Sequence, residues 1–187
     1  MKKIKCYKFY ILLCIVLSMA GCNDVVGYRQ KLNSTTVATN NDVYYKVEFS
    51  PGANTTKLIV QTIKNANKSI NIAAYYFTSK PIADSLILAH ANGIDVKVVL
   101  DKTQATHKFS SYKKLLAAGI PIRINKKYKC MHNKFMVVDN SIIETGSFNY
   151  TLNAEKDNAE NVLIIYNNHE LVEKYMQVWN RLWNEAE

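Results

Sequence analysis

The sequence predicts an α/β domain in which a mixed β-sheet is sandwiched between helices. Three observations predict it. Ser69–Phe77 (SINIAAYYF) and Ile94–Leu100 (IDVKVVL) are apolar runs too short for helices, as expected of strands buried on both faces. Amphipathic segments of helical period separate such runs. Late in the chain, two short strands meet at Asp139-Asn140 with no room for a crossover, so part of the sheet is antiparallel.

Taken in order, Val43, Tyr45, Val47 and Phe49 alternate with polar residues, which predicts a half-buried strand with these four side chains inward. Thr55 to Asn67 carries Leu58, Ile59, Ile63 and Ala66 at helical spacing, with Asn54 or Thr55 as N-cap. Ser69–Phe77 is the first central strand. Thr78 to Asn92 reads as a helix, with Pro81 in its first turn and Gly93 at its C-terminal cap. The strand Ile94–Leu100 ends at Asp101. A short helix from Ser110 to Ala118 is closed by Gly119, and Ile120 to Ile124 is a strand. Asn133 or Lys134 to Val138, Ile142 to Glu144, and Glu160 to Tyr166 are three more. Leu171 to Trp183 is an amphipathic helix, whose Trp179 and Trp183 fall on the core face.

The 187 residues divide into a leader at 1–21, a polar tether at 22–42 and one domain at 43–187. Lys2, Lys3, Lys5 and Lys8 precede an apolar stretch from Phe9 to Ala20, the layout of an export signal. That stretch is short for a membrane span, although an uncleaved anchor is the alternative. Ala20-Gly21-Cys22 is similar to a bacterial lipobox in which Cys22 would carry lipid, but Met19 stands where such boxes favour Leu. The expected location is therefore exported: periplasmic or secreted, with or without a lipid anchor. The formal charge is +9. Without residues 1–21 the chain keeps 20 basic and 15 acidic residues. This mild surplus suits a polyanionic substrate or membrane, and equally an ordinary soluble surface. Cys130 is the one cysteine beyond the leader and its processing site, so no internal disulfide framework is expected. It reads as a structural cysteine at a strand start, with a nucleophile as the alternative.

The chemistry concentrates between Cys130 and Tyr150, in CMHNKFMVVDNSIIETGSFNY. In an extended chain residues i and i+2 point the same way, so His132 and Lys134 emerge together, about 6–7 Å apart along the strand. Lys134 can hold a phosphate oxygen while the imidazole approaches phosphorus. Gly146-Ser147-Phe148-Asn149 adds a tight turn, a hydroxyl and a carboxamide, neutral groups that suit phosphate oxygens. No metal or other cofactor is called for. His132 has no second ligand at coordinating spacing, and Lys134 repels cations. His90, His107 and His169 read as surface histidines.

The full pattern, H-x-K-x4-D-x6-G-S-x-N, resembles the signature of the phospholipase D superfamily, the HKD phosphodiesterases. Ser69–Phe77, the Gly93–Leu100 strand, ETGSFNYT and Asn158–Ile165 look like parts of its small single-motif bacterial members, whose best-known type is an EDTA-resistant endonuclease. There is one motif in this chain. The resemblance therefore implies a homodimer, with one site shared at the two-fold axis. It further implies that His132 is the nucleophile and forms a phosphohistidine. Lys134 and Asn149 would neutralise phosphate oxygens, with Ser147 in support. Glu160 would orient the imidazole through Nδ1, and Asp139 would take a structural part in the catalytic set. The expected substrate is DNA or RNA, with Lys126, Lys127 and Lys129 flanking the cleft. A phosphatidylcholine-type phospholipid is the alternative, and a catalytically silent nucleic-acid or membrane-binding module the third reading.

Overall fold

The computed structural model describes residues 42–52 and 54–187. The leader at 1–21, Cys22 and all of the tether but Asp42 lie outside the described residues. Within the domain, seven strands form one sheet. They are β1 (Tyr44–Ser50), β2 (Ser69–Ala74), β3 (Asp95–Asp101), β4 (Ile122–Asn125), β5 (Lys134–Val138), β6 (Ile142–Gly146) and β7 (Glu160–Tyr166). Their order is β1-β7-β6-β5-β2-β3-β4. β2, β3 and β4 run parallel, and all other pairs are antiparallel. The sheet is mixed, as expected, and the motif strand β5 lies at its centre.

The helices are α1 (Thr55–Lys64), α2 (Lys80–Ala91), α3 (Tyr112–Ala117), α4 (Leu152–Lys156) and α5 (His169–Asn184). Gly93 and Gly119 close α2 and α3 with φ of 89° and 83°, the left-handed geometry that favours glycine after a helix. The larger core lies between α1–α3 and one sheet face, around Ile59, Ile72, Phe77, Leu86 and Ile164. The smaller lies under α5 and gathers Val99, Phe135, Val137, Ile143, Trp179 and Leu182. Trp179 is a core residue, as its spacing predicts, and its indole N–H donates to the Ile72 carbonyl at 3.0 Å.

Departures from expectation have physical causes. Strand β1 exists, but Val43, Tyr45, Val47 and Phe49 are exposed, Tyr45 by 70% and Phe49 by 67%. β1 is the sheet's edge, and α5 packs on β2, β4, β5 and β6. Among the described residues, the Tyr45–Phe49 side, which shares its face with Leu163 and Ile165, thus has no helix over it. Alternation identified the strand but not what covers it. Cys130 is exposed in the loop before β5 rather than at the strand start itself. Helix α4 and the 3-10 turn Lys102–Ala105 are too short to show a period.

Two carboxylates hold the frame. Asp139 and Asn140 adopt φ of 53° and 49°, left-handed values required by a tight hairpin turn. The Asp139 carboxylate accepts from the backbone amides of Asn67, Lys68 and Ser69 at 2.8, 2.7 and 2.9 Å. Burial pushes its pKa up, but these amides and the Asn67 carboxamide outweigh that, and the net shift is downward. A depressed carboxylate contributes stability that is present above its unfolded pKa and lost as pH falls through the folded one. Asp139→Ala should cost about 2 kcal/mol at pH 7 and much less at pH 3. Urea midpoints at the two pH values check this, and equal losses would contradict the clamp.

Glu144 is the opposite case. It lies wholly buried on β6, accepts from the Tyr150 hydroxyl at 2.5 Å, and burial pushes it up to about 8 against the lowering effect of that bond. The folded state therefore keeps a proton that the unfolded state releases above its ordinary pKa. Stability falls as pH rises from that ordinary value towards about 8, and is level beyond. Glu144→Gln should abolish this slope and stabilise the protein by on the order of a few kcal/mol at pH 8. Chemical denaturation at pH 5 and pH 8 measures it. A variant with the wild-type slope would rule out the buried acid.

Candidate active site

The sheet brings the signature residues to one end. Lys134 opens β5 and pairs with Ala74, the last residue of β2. Phe135 pairs with Thr145, which places Gly146 beside Lys134 on the other flank. This end is where the parallel strands β2 and β3 finish, the usual place for ligands in open α/β sheets.

His132 precedes the strand, exposed, on a segment pinned from behind. The Met131 amide donates to Asp101 Oδ2 at 2.8 Å, and Asp101 Oδ1 accepts from Thr103 at 2.9 Å. Asp101 is 1% exposed and Met131 is also buried. A charged residue ending a buried strand was the sequence signal for this anchor, though no role for it follows from sequence.

His132 and Lys134 meet, more closely than strand geometry alone predicts. Lys134 Nζ lies 2.9 Å from His132 Nδ1 and 3.4 Å from Nε2, and donates to the His132 carbonyl at 2.7 Å. Lys134 is buried, and desolvation lowers its pKa, while the charges of Cys130 and Glu160 pull it back up. Both residues line a cavity of about 370 Å3 with Asn133, Thr145, Gly146 and Tyr175. Tyr75 closes one side. Its ring lies 4.4 Å from the imidazole, and the Lys134 ammonium sits 5.2 Å from its centroid. Sequence reasoning missed Tyr75, because it read SINIAAYYF as one buried strand; β2 stops at Ala74 and releases both tyrosines into the site.

Gly146 and Ser147 are stitched to β7. The Ser147 amide donates to the Asn161 carbonyl at 3.2 Å, and Ser147 Oγ accepts from the Asn161 amide at 3.1 Å. The turn delivers Asn149 to a second cavity of about 450 Å3, beside Tyr76 and His107. Asn149 Oδ1 is buried with no hydrogen-bond partner among the described residues.

Other expected members are placed differently. Within one chain Glu160 accepts from Asn158 at 3.0 Å, and the imidazole Nδ1 lies against Lys134. The charge of Glu160 is nonetheless felt by Lys134. Asp139 is at the far end of β5, so it is a clamp on the fold rather than a member of the site. The KKYK run is tied back to the end of α5. Lys126 pairs with Glu187 and Lys127 with Glu185, each at 2.6 Å, and the Tyr128 hydroxyl donates to Glu185 at 2.8 Å. Among the described residues, no group of three or more His, Cys, Asp or Glu converges on a point.

Comparison with known proteins agrees with this geometry. Residues 59–183 match the family described as cardiolipin synthase, PLD-like domain. The chain is 41% identical over 131 residues to phospholipase D of Rickettsia conorii, covering 70% of this chain and 65% of the relative. It is 33% identical over 120 residues to the mitochondrial cardiolipin hydrolase of Xenopus tropicalis, covering 64% and 57%. The chain thus spans less than two thirds of these curated relatives. Among solved structures, the phospholipase D family member Nuc of Salmonella typhimurium superposes with a TM-score of 0.75 at 34% identity, covering 78% of this chain and 97% of that one. NucT of Helicobacter pylori, at 21% identity and a TM-score of 0.67, shows the fold alone. With His132 and Lys134 paired at the start of the central strand and the family match covering residues 59–183, the chain belongs to the phospholipase D superfamily.

Proposed function

We propose that the domain is a metal-independent phosphodiester hydrolase that works through a phosphohistidine, with DNA or RNA as substrate and no sequence preference. The observation that carries this reading is the contact between an exposed imidazole and a buried ammonium in one cavity. His132 attacks phosphorus and the bond to the leaving oxygen breaks. His132 of a second copy protonates that oxygen, then takes a proton from the water that cleaves the phosphohistidine. Splitting one displacement into two in this way lowers the barrier of each. Lys134 balances the charge gathering on the phosphate oxygens, and Asn149 and Ser147 donate to them.

Lys134 Nζ is within reach of both ring nitrogens, 2.9 Å from Nδ1 and 3.4 Å from Nε2, and an ammonium only donates. Attack through Nε2 uses the tautomer with its proton on Nδ1. A phosphate oxygen in the site would compete with the imidazole for the Lys134 ammonium.

Two copies of the chain, related by a two-fold axis, complete the site. Residues 1–21 support export, with Cys22 as the candidate lipid attachment point. The second reading, hydrolysis of phosphatidylcholine-type lipids, is favoured by the names of the curated relatives. A silent binding module would have no need of both His132 and Lys134.

The protein, in EDTA, should be offered plasmid DNA, RNA and phosphatidylcholine vesicles in parallel, beside His132→Ala. His132-dependent cleavage of nucleic acid is expected. His132-dependent headgroup release with nucleic acid left intact selects the lipid reading. Identical behaviour of the two proteins on all three substrates removes the enzymatic one, and an active monomer on sedimentation removes the shared site.

A further inference from the structure

The second cavity, about 450 Å3, is not used by the mechanism except through Asn149. Its walls have a definite chemistry. Tyr76, His107 and Phe109 supply aromatic faces, and Thr78, Asn149 and Asn153 supply neutral hydrogen-bonding groups. Among the described residues no carboxylate lines it. The rings form a continuous series back to the reactive centre. His132 to Tyr75 is 4.4 Å, Tyr75 to Tyr76 4.5 Å, Tyr76 to His107 5.7 Å and His107 to Phe109 6.2 Å. Two ring contacts thus separate the imidazole from the cavity wall.

Phe109 is 70% exposed, so its ring is open to a ligand from solvent. It sits between the 3-10 turn and α3, with Lys108 Nζ 5.4 Å from its ring centroid and Lys102 exposed nearby in sequence. An aromatic face among lysines and carboxamides suits a nucleobase. The π-face stacks, amides and hydroxyls meet the base edge, and the ammonium groups meet the backbone. A cationic lipid headgroup would be favoured by a carboxylate among the aromatic walls, and the described residues supply none there.

We propose that Tyr76, His107 and Phe109 form a base-stacking subsite for the nucleotide next to the scissile phosphate. This rests on the nucleic-acid reading above and narrows it. Bases must be unstacked to enter, so single strands are preferred over duplex.

The test compares a thymidine oligonucleotide with an abasic phosphodiester chain of equal length. The wild-type protein should prefer the former. Phe109→Ala should lower kcat/KM on the oligonucleotide by about 10- to 100-fold, mainly through KM, so that the preference collapses towards one. Phe109→Trp should restore it. An exposed position keeps the variants folded. An unchanged preference in Phe109→Ala overturns the subsite, and a loss confined to phosphatidylcholine vesicles identifies Phe109 as a membrane contact instead. Binding is read without turnover in a His132→Ala background, where a 2-aminopurine oligonucleotide should be quenched by the protein and less so by the Phe109→Ala form. Equal quenching overturns stacking even if no nucleic acid is cleaved. Conversely, cleavage of both chains with no preference leaves the hydrolase reading standing and removes the subsite alone.

Discussion

His132→Ala should lower kcat on any phosphodiester by about 10⁴-fold or more, because the proposed nucleophile and the proposed acid are lost together. In most enzymes these are two residues, and a single variant removes one of them. In the proposed shared site the second copy would contribute the same position. A mixed dimer of wild-type and His132→Ala chains should therefore be as inactive as the doubly substituted one. Mixed dimers with half the wild-type rate would show that each copy works alone. Lys134→Met, which keeps the length of the stem and removes the charge, should cost activity without the same loss of fold. The pH–rate profile adds a check. Desolvation holds the Lys134 pKa below that of a free lysine, so the alkaline fall in rate should begin below the ordinary lysine range. A rate that stays level through that range would separate Lys134 from catalysis.

Gly146→Ala should be the most damaging single methyl in the domain. A Cβ on Gly146 would stand 2.0 Å from the Asn161 carbonyl oxygen and 3.2 Å from the Val162 Cα. Both are backbone, so no side chain can swing away. β6 and β7 would have to part there, breaking the reciprocal bonds between Ser147 and Asn161. A loss of about 3 kcal/mol or more is expected, with a fall in Tm on the order of 10 °C. Activity should fall too, because the same turn delivers Asn149. A Tm within about 2 °C of wild type would show that the strands can separate at little cost. The glycine of the G-S-x-N pattern is thus explained by strand proximity, not by a left-handed backbone.

The sequence made the sheet legible because its central strands are apolar on both faces and its helices carry a clear stripe. The hairpin at Asp139-Asn140, the glycine caps and the core tryptophan were readable for the same local reasons. Lys134, His132 and Asn149 were readable because their spacing is set by the chain itself. What was not readable depends on partners distant in sequence. The exposure of Tyr45 and Phe49 depends on where α5 ends its cover. The release of Tyr75 and Tyr76 depends on a strand stopping three residues before its apolar run does. The pinning of Met131 by Asp101 and of Asn67–Ser69 by Asp139 joins loops 30 and about 70 residues apart, which no local pattern records. The bond from Asn158 to Glu160 is likewise a local contact that the spacing of the motif does not record.

The adjacency of β1 and β7 has a further consequence, for the order in which the chain can assemble. Tyr44 pairs with Tyr166 and Ser50 with Glu160, so the first strand of the domain waits for the last. Such a pairing closes a very long loop and contributes late to the folding barrier. During synthesis, β2 to β6 can form a sheet while the apolar ridge of β1 has no neighbour. Until β7 arrives, that ridge is open to other chains as well as its own. The strand whose apolar side is exposed among the described residues is therefore also the one most in need of protection while the domain is being made.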